Sequence, residues 1–174
     1  MSEHTRQSFE EVVLPHLDAA YTVARYLLRD DQAAQDAVQE AFLRALRHFG
    51  GFRGGNERAW LLTIVRHCCA TAHRHSRRER AFVEFDEREH SGHLEAVTPE
   101  LLLVHADASD SMQRALDRLP PHYREVLVLR EIENFSYEEI ALAIGAPMGT
   151  VMSRLSRARK RLQAMVHGES RDAG

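Results

Sequence analysis

The sequence lacks the features that mark secreted, membrane-spanning and disulfide-bonded proteins. Its only two cysteines, Cys68 and Cys69, are adjacent, so they offer no disulfide framework and fit a reducing compartment. No run approaches the roughly 18 apolar residues that cross a membrane. The N-terminal residues MSEHTRQSFEE are polar and contain no signal-peptide core. We therefore expect a cytoplasmic protein.

The sequence also lacks the motifs of common enzymes. It has no glycine loop of the phosphate-binding type, no nucleophile motif and no paired carboxylates in an apolar setting. Metal or redox sensing is one alternative, built on His67, Cys68, Cys69, His73 and His75. Cys69 and His73 share a helical face, but no CxxC pair completes a tetrahedral site. We expect a protein that is not an enzyme and that has no cofactor.

Charge is segregated along the chain, although the net charge is only −3. Residues 53–80 carry seven Lys/Arg against two Asp/Glu, and residues 147–174 carry six against two. Between them, residues 81–111 carry one against eight. Neutralisation of phosphates supplies most non-specific affinity for DNA, so a chain that is acidic overall is expected to bind DNA with help from a partner.

The hydrophobic pattern is helical throughout and predicts an all-α fold with two small domains. The N-terminal domain spans residues 8–80, with one helix face marked over residues 13–28, a second helix capped by Asp30 or Asp31, and a third ending near Arg80. Residues 81–98 are predicted to be a flexible acidic linker. The C-terminal domain spans residues 99–167, with helices expected over 99–119 and 121–133.

Residues 135–161 predict a helix-turn-helix. Ser136 and Glu139 form a capping box, and Gly145 with Pro147 provides the turn. The second helix, residues 147–163, carries five positive charges over residues 147–161, and no negative ones. Its apolar stripe is Val151, Leu155, Ala158 and Leu162, opposite Ser153, Arg154, Ser156, Arg157, Lys160 and Arg161. This pattern favours DNA binding through the second helix; the alternative is a helical hairpin with a solvated basic face.

Three segments in order resemble the extracytoplasmic-function sigma factors of bacteria. They are DQAAQDAVQEAFLRAL, FRGGNERAWLLTIVRH and LPPHYREVLVLREIENFSYEEIALAIGAPMGTVMSRLSRARKRL. The resemblance covers most of residues 8–165 and implies a region-2 domain and a region-4 domain of the sigma-70 family. It implies binding to core RNA polymerase through Asp36, Gln39, Glu40 and Arg44, promoter-specific transcription initiation, and sequestration by an anti-sigma factor.

The resemblance also implies which residues bind the opened −10 strand and the −35 duplex. For −10 DNA they are Phe52, Arg53, Asn56, Arg58, Trp60, Arg66, His67, Arg74 and Arg77, of which Trp60 is either a stacking platform or part of the core. His67 stands where relatives often have Asn. For −35 DNA they are Met152, Ser153, Arg154, Ser156, Arg157, Arg159, Lys160 and Arg161. Met152 replaces a common Lys or Arg, so altered −35 recognition is expected.

Two interpretations stay open at this point. The acidic linker either threads the RNA exit path of the polymerase as a nucleic-acid mimic or is a solvated tether. Leu127, Val128 and Leu142 either meet the polymerase flap or belong to the core. The alternative to a sigma factor is a conventional helix-turn-helix regulator that binds an operator, for which the basic, aromatic segment 50–80 has no evident use.

Overall fold

The computed structural model describes residues 3–89 and 108–172, with side chains over residues 8–79, 81 and 112–166. All regular structure within these ranges is helical, which confirms the predicted all-α class. None of the described helices is long and apolar enough to cross a membrane.

The N-terminal half begins with two helices where the sequence analysis predicted one. Helix α1 (Glu3–Val13) and helix α2 (Leu17–Leu28) are separated by a 3₁₀ turn, Leu14–His16. The prediction of a continuous helix was wrong because Pro15 lies at the start of this turn, where its ring and missing N–H interrupt an α-helix. Ala20, Val23 and Ala24 of α2 are fully buried.

Helices α3 (Asp31–His48) and α4 (Glu57–Glu89) complete this half. Asp30 caps α3, its side chain accepting the Ala33 N–H at 2.6 Å, as predicted. A 3₁₀ turn, Phe49–Gly51, follows α3. Helix α4 continues to Glu89, nine residues beyond the predicted end near Arg80, because the acidic segment after residue 80 contains no proline or glycine before Gly92.

The C-terminal half contains α5 (Ala108–Asp117), α6 (Pro121–Leu127), a π-helix (Val128–Ile132), α7 (Tyr137–Ile144) and α8 (Met148–Asp172). The capping box of Ser136 and Glu139 is formed. Gly145 has a positive φ of 63° and ends α7, as its role in the turn requires. The linker residues 90–98 and the predicted helix start at Pro99 lie outside the described residues.

One apolar core runs through both halves. It contains Val23 of α2, Val65 of α4, Val126 of α6 and Ile140 of α7, each fully buried. The two halves contact each other mainly where α4 meets α7 and where α2 meets α6. The domains that the sequence suggested as separate units are therefore packed together in this structure.

Candidate nucleic-acid interface

Helix α8 buries one face and exposes a basic one. Val151, Leu155 and Ala158 are at most 1% exposed. Of the predicted −35 residues, Arg154 is half-buried and the others are exposed: Met152, Ser153, Ser156, Arg157, Arg159, Lys160 and Arg161. This division lets the buried face pack on its own domain while the other face remains available to a DNA groove.

The basic side chains of α8 differ in whether they already contact another side chain of the same chain. Arg159 donates to the Glu131 carboxylate, with Nη2 at 2.6 Å and Nε at 2.9 Å. Arg161 lies over the Tyr123 ring, 5.1 Å from its centroid. Arg157 and Lys160 form no ion pair within the described part of the chain. Arg157 and Lys160 are thus better placed than Arg159 to contact DNA without first breaking an internal bond.

An aromatic cluster lies at the start of α4. The ring centroids of Phe52 and Trp60 are 4.7 Å apart, and those of Phe49 and Trp60 are 6.4 Å apart. Trp60 is partly buried and packs against the core, which favours a role in the core over a role as a stacking platform. Gly54 and Gly55, with φ of 82° and 109°, make the loop between Phe52 and α4 possible.

Three of the predicted −10 residues contact carboxylates of the C-terminal half. Arg66 Nε lies 2.5 Å from Glu125 Oε1. Arg58 pairs with the Glu133 carboxylate and donates to the Glu133 carbonyl at 2.5 Å. Asn56 uses Oδ1 to accept the Ala59 N–H at 2.9 Å, which makes it the cap of α4, and Nδ2 donates to a Glu139 carboxylate oxygen. These pairings could not be predicted from local sequence patterns, because the partners are 59 to 83 positions apart.

The Arg58–Glu133 pair is partly buried. The Glu133 side chain is 3% exposed and the Arg58 side chain is 35% exposed. Burial raises the pKa of Glu133 above its ordinary value, and the charge and hydrogen bond of Arg58 oppose that rise. Burial therefore destabilises the ionised carboxylate of Glu133, and the positive charge of Arg58 partly offsets that cost.

The other predicted −10 residues of α4 and the preceding loop face outwards. Arg53, His67, Arg74 and Arg77 are exposed. Partial desolvation and the adjacent Arg66 lower the pKa of His67 below its ordinary value, which favours the uncharged imidazole at neutral pH. A neutral imidazole has one donor and one acceptor, which suits hydrogen bonding to a base edge.

The predicted polymerase-binding residues share an exposed ridge on α3. Asp36 and Gln39 are exposed, and Glu40 pairs with Arg44 at 2.6 Å. The hydrogen bond from Arg44 lowers the pKa of Glu40. Leu43, which the sequence analysis did not select, is 44% exposed on the same ridge. Its spacing from Gln39 and Glu40, at i+4 and i+3, was the signal that could have identified it.

The residues named for the open alternatives divide between the core and the surface. Leu127 and Val128 are at most 2% exposed, which favours the core interpretation, whereas Leu142 is 83% exposed. Cys68 and Cys69 are both buried, and burial raises the pKa of the Cys69 thiol to about 12. No three His, Cys, Asp or Glu side chains in the described part of the chain are arranged to hold a metal ion.

Arg124 is a contact residue between the two halves that the sequence analysis missed. It is 4% exposed, and its guanidinium donates to four carbonyl oxygens: Leu116 at 2.8 Å, Leu119 at 2.9 Å, Asp117 at 3.0 Å and Leu27 at 3.3 Å. Leu116 and Asp117 lie in the last turn of α5, Leu119 follows two residues after it, and Leu27 lies in the last turn of α2. The last carbonyls of a helix have no intrahelical partner, so they are available to a side-chain donor.

Both halves of the chain match families of known proteins. Residues 12–79 match sigma-70 region 2, and residues 109–162 match sigma-70 region 4. These matched ranges coincide with the two groups of helices that carry the predicted −10 and −35 residues.

Comparisons over most of the chain agree with these two family matches. The chain is 34% identical to the ECF RNA polymerase sigma factor SigE of Mycolicibacterium smegmatis over 90% of this chain and 60% of that one. It is 32% identical to the RNA polymerase sigma-H factor of Pseudomonas aeruginosa over 97% and 91% of the two chains. Among solved structures, the sigma factor RpoE of Bartonella quintana, in complex with the anti-sigma factor NepR, has a TM-score of 0.70 at 29% identity, covering 92% and 98%.

Proposed function

The chain belongs to the extracytoplasmic-function (ECF) RNA polymerase sigma factors. On that basis we propose which of its helices bind promoter DNA and which bind the polymerase. It is an alternative sigma factor that binds core RNA polymerase and directs promoter-specific initiation. The exposed basic face of α8, behind which Val151, Leu155 and Ala158 are buried, is the observation that carries the proposal.

In this proposal α8 recognises the −35 duplex. Arg157 and Lys160 are exposed cations without an internal ion pair in the described structure, which supports a role at bases or phosphates. An Arg can form two hydrogen bonds with O6 and N7 of guanine. Arg159 is available to phosphate only after exchange of its Glu131 partner.

Helix α4 and the loop before it bind the opened −10 strand. Arg58 and Arg66 supply positive charge, and neutral His67 supplies a donor and an acceptor for a base edge. Phe52, whose ring is tilted by 35° against that of Trp60, provides an aromatic surface beside the loop. The combination of cations, an aromatic surface and a hydrogen-bonding edge is what a flipped or unpaired base requires.

The ridge of α3 binds core polymerase. Asp36, Gln39 and the Glu40–Arg44 pair supply polar contacts, and exposed Leu43 supplies an apolar one among them. Interfaces of this kind place an apolar anchor within a polar rim. The ridge lies opposite the buried stripe of α3, Ala34, Val38, Ala41 and Ala45.

We extend the proposal to an anti-sigma partner and to the cellular compartment in which the protein acts. A relative of similar fold is known in complex with an anti-sigma factor, and we propose that this chain is sequestered in the same way. The protein acts in the cytoplasm, where the polymerase is, and it is not an enzyme, since the chemistry of RNA synthesis belongs to the polymerase.

Transcription by purified core polymerase with and without the chain, on a library of promoter fragments, tests the proposal. We expect start sites that depend on the chain and share two sequence elements. The pair Arg154→Ala and Arg157→Ala removes this dependence, while Gln163→Ala, an exposed change on the same helix, keeps it. Absence of dependent start sites, together with tight binding of the free chain to duplex DNA, would instead indicate a conventional regulator.

A further inference from the structure

We propose that Met148 and Met152, at the start of α8, recognise thymine in the −35 element by apolar contact with its 5-methyl group. The inference rests on the proposed role of α8 in −35 recognition, and it names the base-edge group that this part of the helix contacts. It is carried by two exposed methionines in a stretch of the helix-turn-helix that contains no charged residue.

The start of the second helix of the helix-turn-helix is uncharged. Residues 140–153 contain no Asp, Glu, Lys or Arg, and the first charged residue of α8 is Arg154. The exposed cations Arg157 and Lys160 lie farther along the helix. In a helix-turn-helix, the N-terminal residues of the second helix contact base edges in the major groove. At this end of α8, the contact with bases therefore depends on uncharged side chains.

Two methionines provide the large exposed side chains of this part of α8. Met148 is 39% exposed and Met152 is 53% exposed. They are four positions apart, so they lie on the same face of the helix. Between them, Val151 is fully buried and Gly149 has no side chain. The two thioether side chains therefore form an apolar strip, one helical turn long, on the exposed face.

The hydroxyl next to this strip already donates within the helix. Ser153 Oγ donates to the Thr150 carbonyl at 3.1 Å, so the hydroxyl offers DNA its acceptor lone pairs. An acceptor suits the amino group of adenine or cytosine. It does not suit thymine, whose major-groove edge consists of the O4 acceptor and the methyl group. Recognition of thymine at this end of α8 is therefore assigned to the methionines.

Thymine is the base that an apolar side chain can distinguish from the others. It alone among the four bases presents a methyl group in the major groove. Methionine is unbranched and polarisable, so it adapts to the surface that it contacts. Against guanine or cytosine the strip would cover polar groups without forming hydrogen bonds to them, which costs free energy. The strip thus favours A·T base pairs opposite Met148 and Met152.

Replacement of thymine by deoxyuridine tests the inference, because it removes only the 5-methyl group. The probe is a duplex with a −35 element found in the transcription experiment, in which each thymine of either strand is replaced in turn. Holoenzyme binding is measured by fluorescence anisotropy at one salt concentration. At one position or more, we expect Kd to rise about fourfold, the effect of losing one buried methyl group. No effect at any position, or a −35 element without an A·T pair, would overturn the inference.

Met148→Ala with Met152→Ala assigns the effect to the methionines. Both positions are exposed and Ala favours a helix, so we expect the double variant to fold. Its ratio of Kd values for the deoxyuridine and thymine duplexes is expected to fall below about twofold. Met112→Ala changes a methionine of α5 that is 43% exposed; it is the matched control and keeps the fourfold ratio. The ratio compares two duplexes with one variant, so a change in overall affinity does not alter it.

A fourfold ratio retained by the double methionine variant would also overturn the inference. The deoxyuridine substitution would then act through the shape of the DNA or through another side chain. If the same variant also bound core polymerase more weakly, the strip would be a contact with protein rather than with DNA.

Arg154→Ala with Arg157→Ala distinguishes failure of this inference from failure of the proposed function. Loss of dependent start sites in this arginine variant, without any effect of the thymine methyl group in the parent chain, rejects thymine recognition by the methionines and keeps the role of α8. Retention of those start sites in the arginine variant rejects the role of α8 in −35 recognition itself.

Discussion

Asn56 and Glu139 form a hydrogen bond that joins the caps of two helices in different domains. Asn56 caps α4 with its side-chain oxygen and donates to Glu139 with its side-chain nitrogen. Glu139 accepts the Ser136 N–H at 2.7 Å with its other carboxylate oxygen, as part of the capping box of α7. Asn56 and Glu139, each of which caps a helix in its own domain, therefore also form a contact between the two domains.

Asn56→Asp tests this dual role. Asp is as good a cap as Asn, but it cannot donate and places a second carboxylate against Glu139. We expect the free energy of unfolding to fall by about 1 kcal/mol, as measured by urea denaturation. Glu139→Gln in the same chain should restore it, since Gln keeps the capping box and can donate to the new Asp. Purely additive effects of the two changes would show that the caps are not coupled.

Gly145 and Gly149 provide a matched pair in the helix-turn-helix. A Cβ at either position meets no heavy atom within 4 Å, but only Gly145 has a positive φ, of 63°. Gly145→Ala is therefore expected to lower the free energy of unfolding by about 1 kcal/mol. Gly149→Ala, within α8, is expected to raise it by about 0.5 kcal/mol. Thermal or urea unfolding measures both, and the same sign for both would contradict the backbone explanation.

Local sequence signals predicted much of the fold and of the α8 surface. The Ser136 capping box, the Asp30 cap and the Gly145 turn depend on residues within four positions of one another, so their chemistry is readable from the chain. The buried stripe of α8 follows from helical spacing alone. The break at Pro15 was equally local and was available to the sequence analysis, which overlooked it.

Contacts between the domains could not be predicted in the same way. Arg58, Arg66 and Arg124 look like any solvated cations in the sequence, and their partners are set by how the helices pack. Arg124 is the clearest case, since its acceptors include the backbone carbonyl of Leu27, 97 positions away. Backbone carbonyls carry no residue-specific signal, so neither the burial of Arg124 nor its role could be predicted from composition or spacing.

Arg124→Met tests that role. Met fills similar volume but donates to none of the four carbonyls, three of which lie at or just after the end of α5. Leaving buried acceptors without donors is expected to lower the free energy of unfolding by about 3 kcal/mol. Urea denaturation measures the change. Arg114→Met, at an exposed position of α5, is the control and is expected to stay within about 0.5 kcal/mol of the parent.

The buried carboxyl of Glu133 predicts a pH dependence of stability. Because its pKa is raised in the folded chain, the folded state binds a proton more readily than the unfolded state between the ordinary value of 4.5 and the raised one. The contribution of Glu133 to stability is therefore present at low pH and is lost as pH rises through its folded pKa.

Comparison with Glu133→Gln isolates that contribution. The free energy of unfolding of the variant, relative to the parent chain, is expected to increase as pH rises through this window, because Gln has no proton to lose. Urea denaturation at a series of pH values measures the difference, in which other titrating groups cancel. A difference that is constant with pH would mean that Arg58 fully compensates for burial of the carboxylate.

Met152 offers a test of −35 recognition that gains rather than loses a contact. It is 53% exposed on the basic face of α8, and Met152→Arg adds one charge and a donor there. We expect the holoenzyme to bind −35 duplex more tightly, with log K against log salt steeper by roughly 0.9 for one added phosphate contact. Gln163→Arg adds the same charge to an exposed position farther along α8 and is expected to change the slope less. Equal slopes for the two variants would mean that position 152 does not face DNA, because the added charge then acts only through the overall field of the protein.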